Sequence, residues 1–374
     1  LKDTLKRVDF IVLSPGVSLE KSKYKKDLKK NKKKIITDID LLFLSNSKFK
    51  SIVVTGTNGK STTCQMIYHL IKKNNFKAKI GGNIGKPVLN LKVSKNTFLI
   101  IEASSFQLSH SKFIHPNYAI LTNISNDHID WHGSIKAYIQ AKLKIFQLQT
   151  KKDFALIDDK FKKTFKKKNY LSKLSLVKFD NYKKIKNKIN NRYLKSSIND
   201  ENMKFVYSLS KLLKINDYSF INSMNSFKGL FHRYETFFKK KNIIFINDSK
   251  ASSFQAAKGA LINNKNIFWI LGGLPKKGDK FNLKSVKNNI VKTYIIGKNV
   301  NFFKNQLKKQ IEFKIAKKLQ FAINHALKDI KRFNLNENII LLSPCAASFD
   351  QFKNFEDRGN QFKKLSKIYA KKLI

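Results

Sequence analysis

One stretch constrains this chain more than any other: residues 51–63, SIVVTGTNGKSTT. A β-branched run ends at Thr55, two glycines follow within four residues, and a helix-forming segment begins near Ser61. A strand that turns through glycines into a helix aims loop amides and the positive end of the helix dipole at one point, which makes an anion site. Gly56 and Gly59 allow the turn, with Thr57 and Asn58 between them and Thr62 just beyond. Lys60 is placed to reach the β- and γ-phosphates of a nucleotide, and Ser61 offers a hydroxyl to Mg²⁺. The usual spacing puts four residues between the glycines, and only two stand here. Gly-Lys-Ser alone is a weak signal in a lysine-rich chain. Between a strand and a helix it points to a nucleoside triphosphate.

The rest of the chain has the pattern such a loop requires, apolar strands alternating with amphipathic helices in parallel α/β layers. Strands are predicted at 51–55, 98–102, 118–123, 243–247, 267–271, 293–296 and 339–342. Helices are predicted at 61–74, 134–147, 251–263, 319–331 and 348–372. Residues 151–195, rich in lysine and asparagine, show weak periodicity and suggest short strands and loops. No internal repeat and no Pro/Gly/Ser linker is present. A length of 374 residues suits two or three domains, and 42% hydrophobic content excludes wholesale disorder.

The formal charge of +51 invites a nucleic-acid reading. Yet only five of the 76 basic residues are arginine (Arg7, Arg192, Arg233, Arg332 and Arg358), and arginine is the residue of bidentate phosphate and base contacts. The lysines are spread along the whole chain beside abundant Asn, Ile and Phe, a biased composition laid over an ordinary protein. Weak, salt-sensitive polyanion binding is expected and specific nucleic-acid recognition is not. Two cysteines, Cys64 and Cys345, make no disulfide framework and point to a reducing compartment, so a cytoplasmic location is expected. No apolar run approaches the roughly 18 residues of a membrane span. Leu1 opens a mixed, charged segment rather than a signal peptide, and the missing initial Met suggests a fragment or incomplete gene.

Several further residues carry chemistry. Glu102 ends the apolar run FLIIE at the end of a strand where parallel sheets place ligands, and one carboxylate there suits Mg²⁺. His128 stands between Asp127 and Asp130 in NISNDHIDWH, also after a strand. Along 134–147, Ile135, Tyr138, Ile139, Ile145 and Phe146 share one helix face, and Lys142 falls on it, while Lys136 and Lys144 fall away. A lysine on an apolar face is costly unless paired or neutralised, although snorkelling to solvent is the ordinary outcome. Asn83 lies in the turn-rich GGNIGKP. Asp248 and Lys250 follow another strand in IIFINDSK, and Arg233 in GLFHRYE provides a fixed fork for phosphate. Ser348 with Gln351 fits a capping box, so a helix is expected to begin there. Phe349, Phe352 and Phe355 are expected in the core as a stripe.

The variant TGTNGKST resembles the ATP loop of the Mur ligases and of their relative folylpolyglutamate synthase. The run LLSPCAASFDQFKNFEDRGNQF at 341–362 is similar to that of the D-glutamate-adding branch, and the D-N-P-R element of the diaminopimelate- and lysine-adding branches is absent. The resemblance covers nearly the whole chain. It implies an α/β, multi-domain Mur ligase architecture. A remnant of an N-terminal Rossmann-like, UDP-substrate-binding domain would occupy 1–37, a central P-loop ATPase-like parallel-sheet domain 38–229, and a C-terminal Rossmann-like, amino-acid-binding domain 230–374. It implies an ATP-dependent ligase acting through an acyl phosphate, with UDP-N-acetylmuramoyl-L-alanine and D-glutamate as partners, two Mg²⁺ ions, and a monomer. By the same resemblance Lys60, His128, Lys142, Arg233 and Asp248 are catalytic. The ATP set comprises Gly56, Thr57, Asn58, Gly59, Lys60, Ser61, Thr62, Asn199, Asn202, Arg233, Asp248 and Lys250, with the His that should precede Asn199 replaced by Ile198. Substrate contacts fall on Gly16 within Ser14-Pro15-Gly16, Asn83, Ser104, Gln107, His128, Ser252, Lys276 (or its neighbour Lys277), Ser348 and Phe355. Metal ligands are Ser61, Glu102, His128 and Lys142, the last as a carbamate. The first strand and glycine loop of the N-terminal domain are not found, which implies weak binding of the UDP substrate. Domain closure is expected. Another Mur ligase, a folylpolyglutamate synthase-like enzyme, an inactive remnant and a lysine-rich nucleic-acid binder are the competing readings.

Overall fold

The computed structural model describes every residue except Leu1, Pro15, Ser18, Glu20, Lys21, Asn46, Ser47, Ser196, Lys277 and Ile374, and leaves aside the side chains of Lys2, Asp3, Arg192, Lys195, Ser197 and Ile198. Pro15, Lys277 and the Ile198 side chain, all named above, therefore lie outside the described residues. The chain divides into two units, Leu1–Phe227 and Lys228–Ile374.

The first unit opens with a parallel pair, β1 (Ile11–Val12) and β2 (Ile35–Ile36), beside a small apolar cluster of Leu13, Leu28 and Ile35. Helix Asp38–Leu44 follows, started by a reciprocal capping box between Thr37 and Asp40. Asp40 is buried, but its other carboxylate oxygen accepts from Ser111 Oγ at 2.6 Å and from the Lys112 and Phe113 amides, so no acceptor is left unmet.

The main sheet of this unit has six parallel strands. They are β3 (Lys50–Thr55), β4 (Ala78–Gly82), β5 (Phe98–Glu102), β6 (Tyr118–Leu121), β7 (Phe154–Asp158) and β8 (Lys173–Val177). Their order is β4-β5-β3-β6-β7-β8, with β3 in the interior. Strands covered by helices on both faces are apolar throughout rather than alternating, which is why IVV, FLII and AIL are legible in the sequence. Ile52, Val53 and Val54 are fully buried. Residues 151–195 are more regular than expected: β7 and β8 extend the sheet to its edge, with short helices at Lys162–Lys167 and Phe179–Lys186. Edge strand β8 is only partly buried along most of its length, which weakens its signal in the sequence.

The second unit is another six-stranded sheet: β9 (Glu235–Lys240), β10 (Ile243–Asn247), β11 (Ile267–Gly272), β12 (Ile290–Ile296), β13 (Phe313–Lys317) and β14 (Asn338–Leu342). The order is β13-β12-β11-β14-β10-β9, parallel except for β9. Helices Phe254–Ile262 and Val300–Leu307 share one core with one sheet face, and helices Leu319–Phe333 and Phe355–Leu373 share another with the opposite face. Alternation along β10 serves both, Ile244 and Ile246 to the first core, Ile243 and Phe245 to the second.

The last helix starts at Phe355 rather than Ser348. Ser348–Gln351 makes a turn instead, with the Gln351 and Phe352 amides donating to Ser348 O, and Gln351 Nε2 donating away to Lys317 O. Asn354 takes the capping role, its Oδ1 accepting from the Asp357 amide at 2.7 Å, with Glu356 and Asp357 acidic in the first turn. The expected aromatic stripe also splits: Phe349 is 69% exposed, while Phe352 packs on the core. Phe245 is fully buried in the second of these cores of the unit. Phe245→Ala is expected to destabilise that unit by about 3–5 kcal/mol. Urea unfolding read by Trp269 emission, in a Trp131→Phe background, checks this.

Candidate active site

In the first unit β3 runs into the turn at Gly56, and helix Lys60–Lys73 follows with Gly59 as its N-cap. Gly59 has φ 80°, in the left-handed region, and a Cβ there would overlap Asn202 Oδ1. At Gly56 a Cβ would overlap Thr122 Oγ1. Both positions thus exclude a side chain because other elements press on the turn. The loop is also strapped from the end of β6: the Asn58 amide donates to Asn123 Oδ1 at 2.8 Å, and Thr122 Oγ1 and Asn123 Nδ2 donate to Asn58 O, each at 3.0 Å. The Thr57 amide donates to Asn123 O, and Thr57 Oγ1 meets Tyr138 Oη at 2.8 Å. First-turn amides lie outside a helix's own hydrogen-bond ladder, and here they crown this braced turn. Ser61 and Thr62 are buried beneath it.

Two lysines converge on one carbonyl of the turn. Lys60 Nζ donates to Gly56 O and Thr57 O, each at 2.9 Å, and Lys142 Nζ donates to Gly56 O at 2.6 Å. Lys142 is 1% exposed, so it does not snorkel. Its ammonium also lies 4.7 Å from the Tyr138 ring centre. Burial, then repulsion from Lys60, pulls Lys142 down to about 7. Lys144, expected to fall away from the apolar face, is half-buried and donates to the Ser109 and Ser111 carbonyls.

Glu102, buried at the end of β5, accepts from Asn83 Nδ2 at 2.8 Å through Oε1, while Oε2 is buried with no partner. Asn83 is fixed in turn by its amide, which donates to Glu102 O. His128 has φ 52° and lies against Phe106, ring centres 4.7 Å apart, with Nε2 3.5 Å from Asp127 Oδ2. Burial holds His128 below its ordinary value, opposed by Asp127 and reinforced by Lys60 and Lys142. His132 stacks on Phe106 and is pulled to about 4, by burial first and then by His128 and Lys142. Among the described residues no three His, Cys, Asp or Glu side chains converge as a ready-made metal cage.

The remaining first-unit candidates separate by role. Asn202 is buried on helix Ser197–Leu212, where its Oδ1 accepts from Thr63 Oγ1 on the phosphate-loop helix. Asn199 Nδ2 donates to Tyr193 O. Ser104 and Gln107 form a reciprocal capping box on helix Ser105–His110, and Gln107 Nε2 reaches Asp38 Oδ1 at 3.3 Å. Their polar groups are therefore engaged within the fold. Gly16 sits in an exposed turn closed by the Val17 amide on Ser14 O.

In the second unit the candidates cluster at the C-terminal ends of the strands. Asp248, just past β10, accepts from Ser343 Oγ at 2.7 Å and from the Tyr234 amide at 3.1 Å. Burial pushes its carboxyl up to about 7, against the pull of those hydrogen bonds and of Arg233 and Arg358. Arg233 follows His232, which has φ 62° and is pinned by Glu235 Oε2 on its amide and by Asn247 Nδ2 at 2.9 Å from Nδ1. Lys250 Nζ lies 3.6 Å from the Phe355 ring centre. Ser252 is half-buried, Ser348 buried and Lys276 exposed.

The Mur ligase middle domain family matches residues 54–225, the segment that holds the phosphate turn, Glu102, His128 and Lys142. A UDP-N-acetylmuramoylalanine–D-glutamate ligase of Rickettsia felis is 36% identical over 98% of this chain and 86% of its own length. The protein of the same name in Rickettsia prowazekii is 37% identical over 96% and 85%. This chain belongs to the Mur ligase family. Solved structures agree in fold: MurF ligase from Thermotoga maritima in complex with ADP has TM-score 0.63 at 15% identity, covering 98% of this chain and 97% of that one. UDP-N-acetylmuramate-alanine ligase MurC from the same organism has TM-score 0.62 at 17% identity, covering 97% and 85%.

Sequence reasoning missed the braces of the site. Thr122 and Asn123 hold the phosphate turn, Tyr138 hydrogen-bonds Thr57, and His132 completes the aromatic group around Phe106. The one signal they carry is position, since Thr122 and Asn123 directly follow β6 on the side where parallel sheets place ligands. Lys142 generates a pH prediction. Its burial penalty is fully present below about 7 and absent above its ordinary 10.5, so it makes stability rise with pH across that window. In CO₂-free buffer Lys142→Met should be the more stable chain at neutral pH and should lack this rise. Thermal melts from about pH 6 to about pH 10 check it, and identical pH slopes in both chains contradict it.

Proposed function

We propose that the chain joins D-glutamate to the alanine carboxylate of UDP-N-acetylmuramoyl-L-alanine at the expense of ATP, a step in building the peptidoglycan precursor. The observation that carries this reading is 36–37% identity, across nearly the whole chain, to ligases of that name. The braced turn at Gly56–Ser61 supports its nucleotide half. The alanine carboxylate attacks the γ-phosphorus and ADP leaves. The amine of D-glutamate then attacks the acyl phosphate carbon, gives up a proton, and inorganic phosphate departs.

Each group has a proposed task. Gly56, Thr57, Asn58, Gly59, Ser61 and Thr62 cradle the phosphates through amides and hydroxyls, and Lys60 exchanges its carbonyl partners for phosphate oxygens. Arg233, Asp248 and Lys250 serve the nucleotide, and Asn199 and Asn202 are assigned to its adenine. Gly16, Asn83, Ser104, Gln107 and His128 face the UDP-linked substrate. Ser252, Lys276, Ser348 and Phe355 take the amino acid. We propose three functional parts, 1–37, 38–229 and 230–374, on the family's pattern, and a monomer at work in the cytoplasm. Among the described residues no helix is long and apolar enough to cross a membrane.

Mg²⁺ fits the residues present. The unpartnered, buried Oε2 of Glu102 is a hard anionic donor, and a magnesium ion bound through one or two carboxylates takes its other ligands from phosphate and water. Glu102, Ser61 and His128 would hold it, and it would neutralise phosphate charge during transfer. Lys142, partly deprotonated near pH 7, would react with CO₂ through its free amine at Nζ with loss of a proton, giving a carbamate that would serve the metal.

Phosphate release with ATP, Mg²⁺ and UDP-N-acetylmuramoyl-L-alanine, measured with D-glutamate, L-glutamate, L-lysine and diaminopimelate in turn, tests the reading. Stimulation by D-glutamate alone is expected, and preference for another amino acid would assign the chain to a different branch. Lys60→Ala should lower the D-glutamate-dependent rate roughly 100-fold or more.

A further inference from the structure

Arg358 has no task in the proposed scheme, yet it is among the largest fully buried side chains, 1% exposed on helix Phe355–Leu373. Its Nε donates to Ser249 Oγ at 3.0 Å, and Nη2 donates to Ser249 O at 2.8 Å and Ala346 O at 3.0 Å. Nη1 donates to Gly272 O at 3.4 Å. Every one of these acceptors is neutral, and Asp350 and Asp248 act on the guanidinium only through longer-range attraction. Burying a guanidinium without a paired carboxylate is costly, and a neutral core would be the cheaper way to fill this space. Burial lowers Arg358 to about 10, so it stays charged at neutral pH.

The acceptors say what the charge is used for. Ser249 follows β10, Gly272 ends β11 and Ala346 follows β14, and these three strands are consecutive neighbours in the order β11-β14-β10. The chain leaves β10 for helix Phe254–Ile262 on one face of the sheet and leaves β14 for helix Phe355–Leu373 on the other, the kind of switch point at which α/β sheets place ligands. The same three loops continue into Ser252, Lys276 and Ser348. One planar fork, with donors in fixed directions, holds all three loop starts at once, a task that the point charge of lysine does not perform.

We propose that Arg358 is a positioning residue for an amino-acid carboxylate site at the ends of β10, β11 and β14. It ties the three loops that carry the site and lends the rim a fixed positive charge. The proposal rests on the reading of the chain as an amino-acid ligase. It concerns the amino acid first: Arg358 reaches the loops that lead to Ser252, Lys276 and Ser348, and only the loop after β10 also carries the nucleotide candidates Asp248 and Lys250.

Steady-state kinetics of R358K, with S249A as the milder partner variant that removes one acceptor hydroxyl, test it on the full chain. R358K should raise KM for D-glutamate roughly tenfold or more while kcat at saturating amino acid and KM for ATP change little. S249A should shift the same KM in the same direction by less. A residue that merely stabilises the fold would lower the melting temperature and leave the amino-acid KM at the wild-type value in both variants, and that result overturns the proposal. A uniform rise in the KM of ATP and D-glutamate overturns it too. Wild-type protein whose ADP release ignores every amino acid removes the ligase reading, and the proposal with it.

Discussion

The nucleotide half of this account depends on a hydrogen-bonded grip around one turn. Asn58 is held by Asn123 and Thr122, Thr57 by Asn123 and Tyr138, and Asn202 closes over Gly59. A loop braced on three sides pays its ordering entropy on folding rather than on binding, so its amides are already directed when an anion arrives. Into the same few ångströms the fold brings Lys60 and Lys142, two ammonium groups sharing the Gly56 carbonyl. That is repulsive as it stands, and an anion would relieve it. Lys142 is depressed first by its burial and then by this repulsion.

Both units use the same device with different charge. In the first, a buried carboxylate with a spare oxygen, Glu102, stands at a strand end. In the second, a buried carboxyl, Asp248, and a buried guanidinium, Arg358, stand at neighbouring strand ends, each satisfied by loop groups. The apolar strands supply a rigid floor, and polar chemistry is confined to their C-terminal rims. Ion pairs such as Lys363–Glu235 and hydrogen bonds such as His232–Asn247 fix the segment around Arg233 in turn.

The sheets are legible in the sequence because buried parallel strands are continuously apolar, and Lys142 is legible because a single cation interrupts an otherwise apolar helical face. Features that depend on contacts distant in sequence are not. Asn123 and Tyr138 serve a loop some 65 and 81 residues away, and nothing in local pattern marks them. The Ser-x-x-Gln pattern at 104–107 and again at 348–351 is instructive. At Ser104–Gln107, where family resemblance implies substrate contacts, it forms a capping box in the structure. At Ser348–Gln351, where the pattern alone predicts a capping box, Asn354 starts the helix instead. The same four-residue signal is decided by its neighbours: Phe106 and Leu108 continue a helix, whereas the exposed Phe349 leads into a turn. Arg358 escapes a sequence reading for the opposite reason, being a charged residue that the fold buries whole.

The most direct test of the central claim is to observe the turn itself during nucleotide binding. Titration of ¹⁵N-labelled chain with Mg²⁺ and a non-hydrolysable ATP analogue, followed by the backbone amide resonances, reports each residue of the loop. Large, saturable shifts at Gly59, Lys60 and Ser61, with smaller ones at Asn123, are the predicted result. Saturable binding that leaves those amides unmoved would contradict the account.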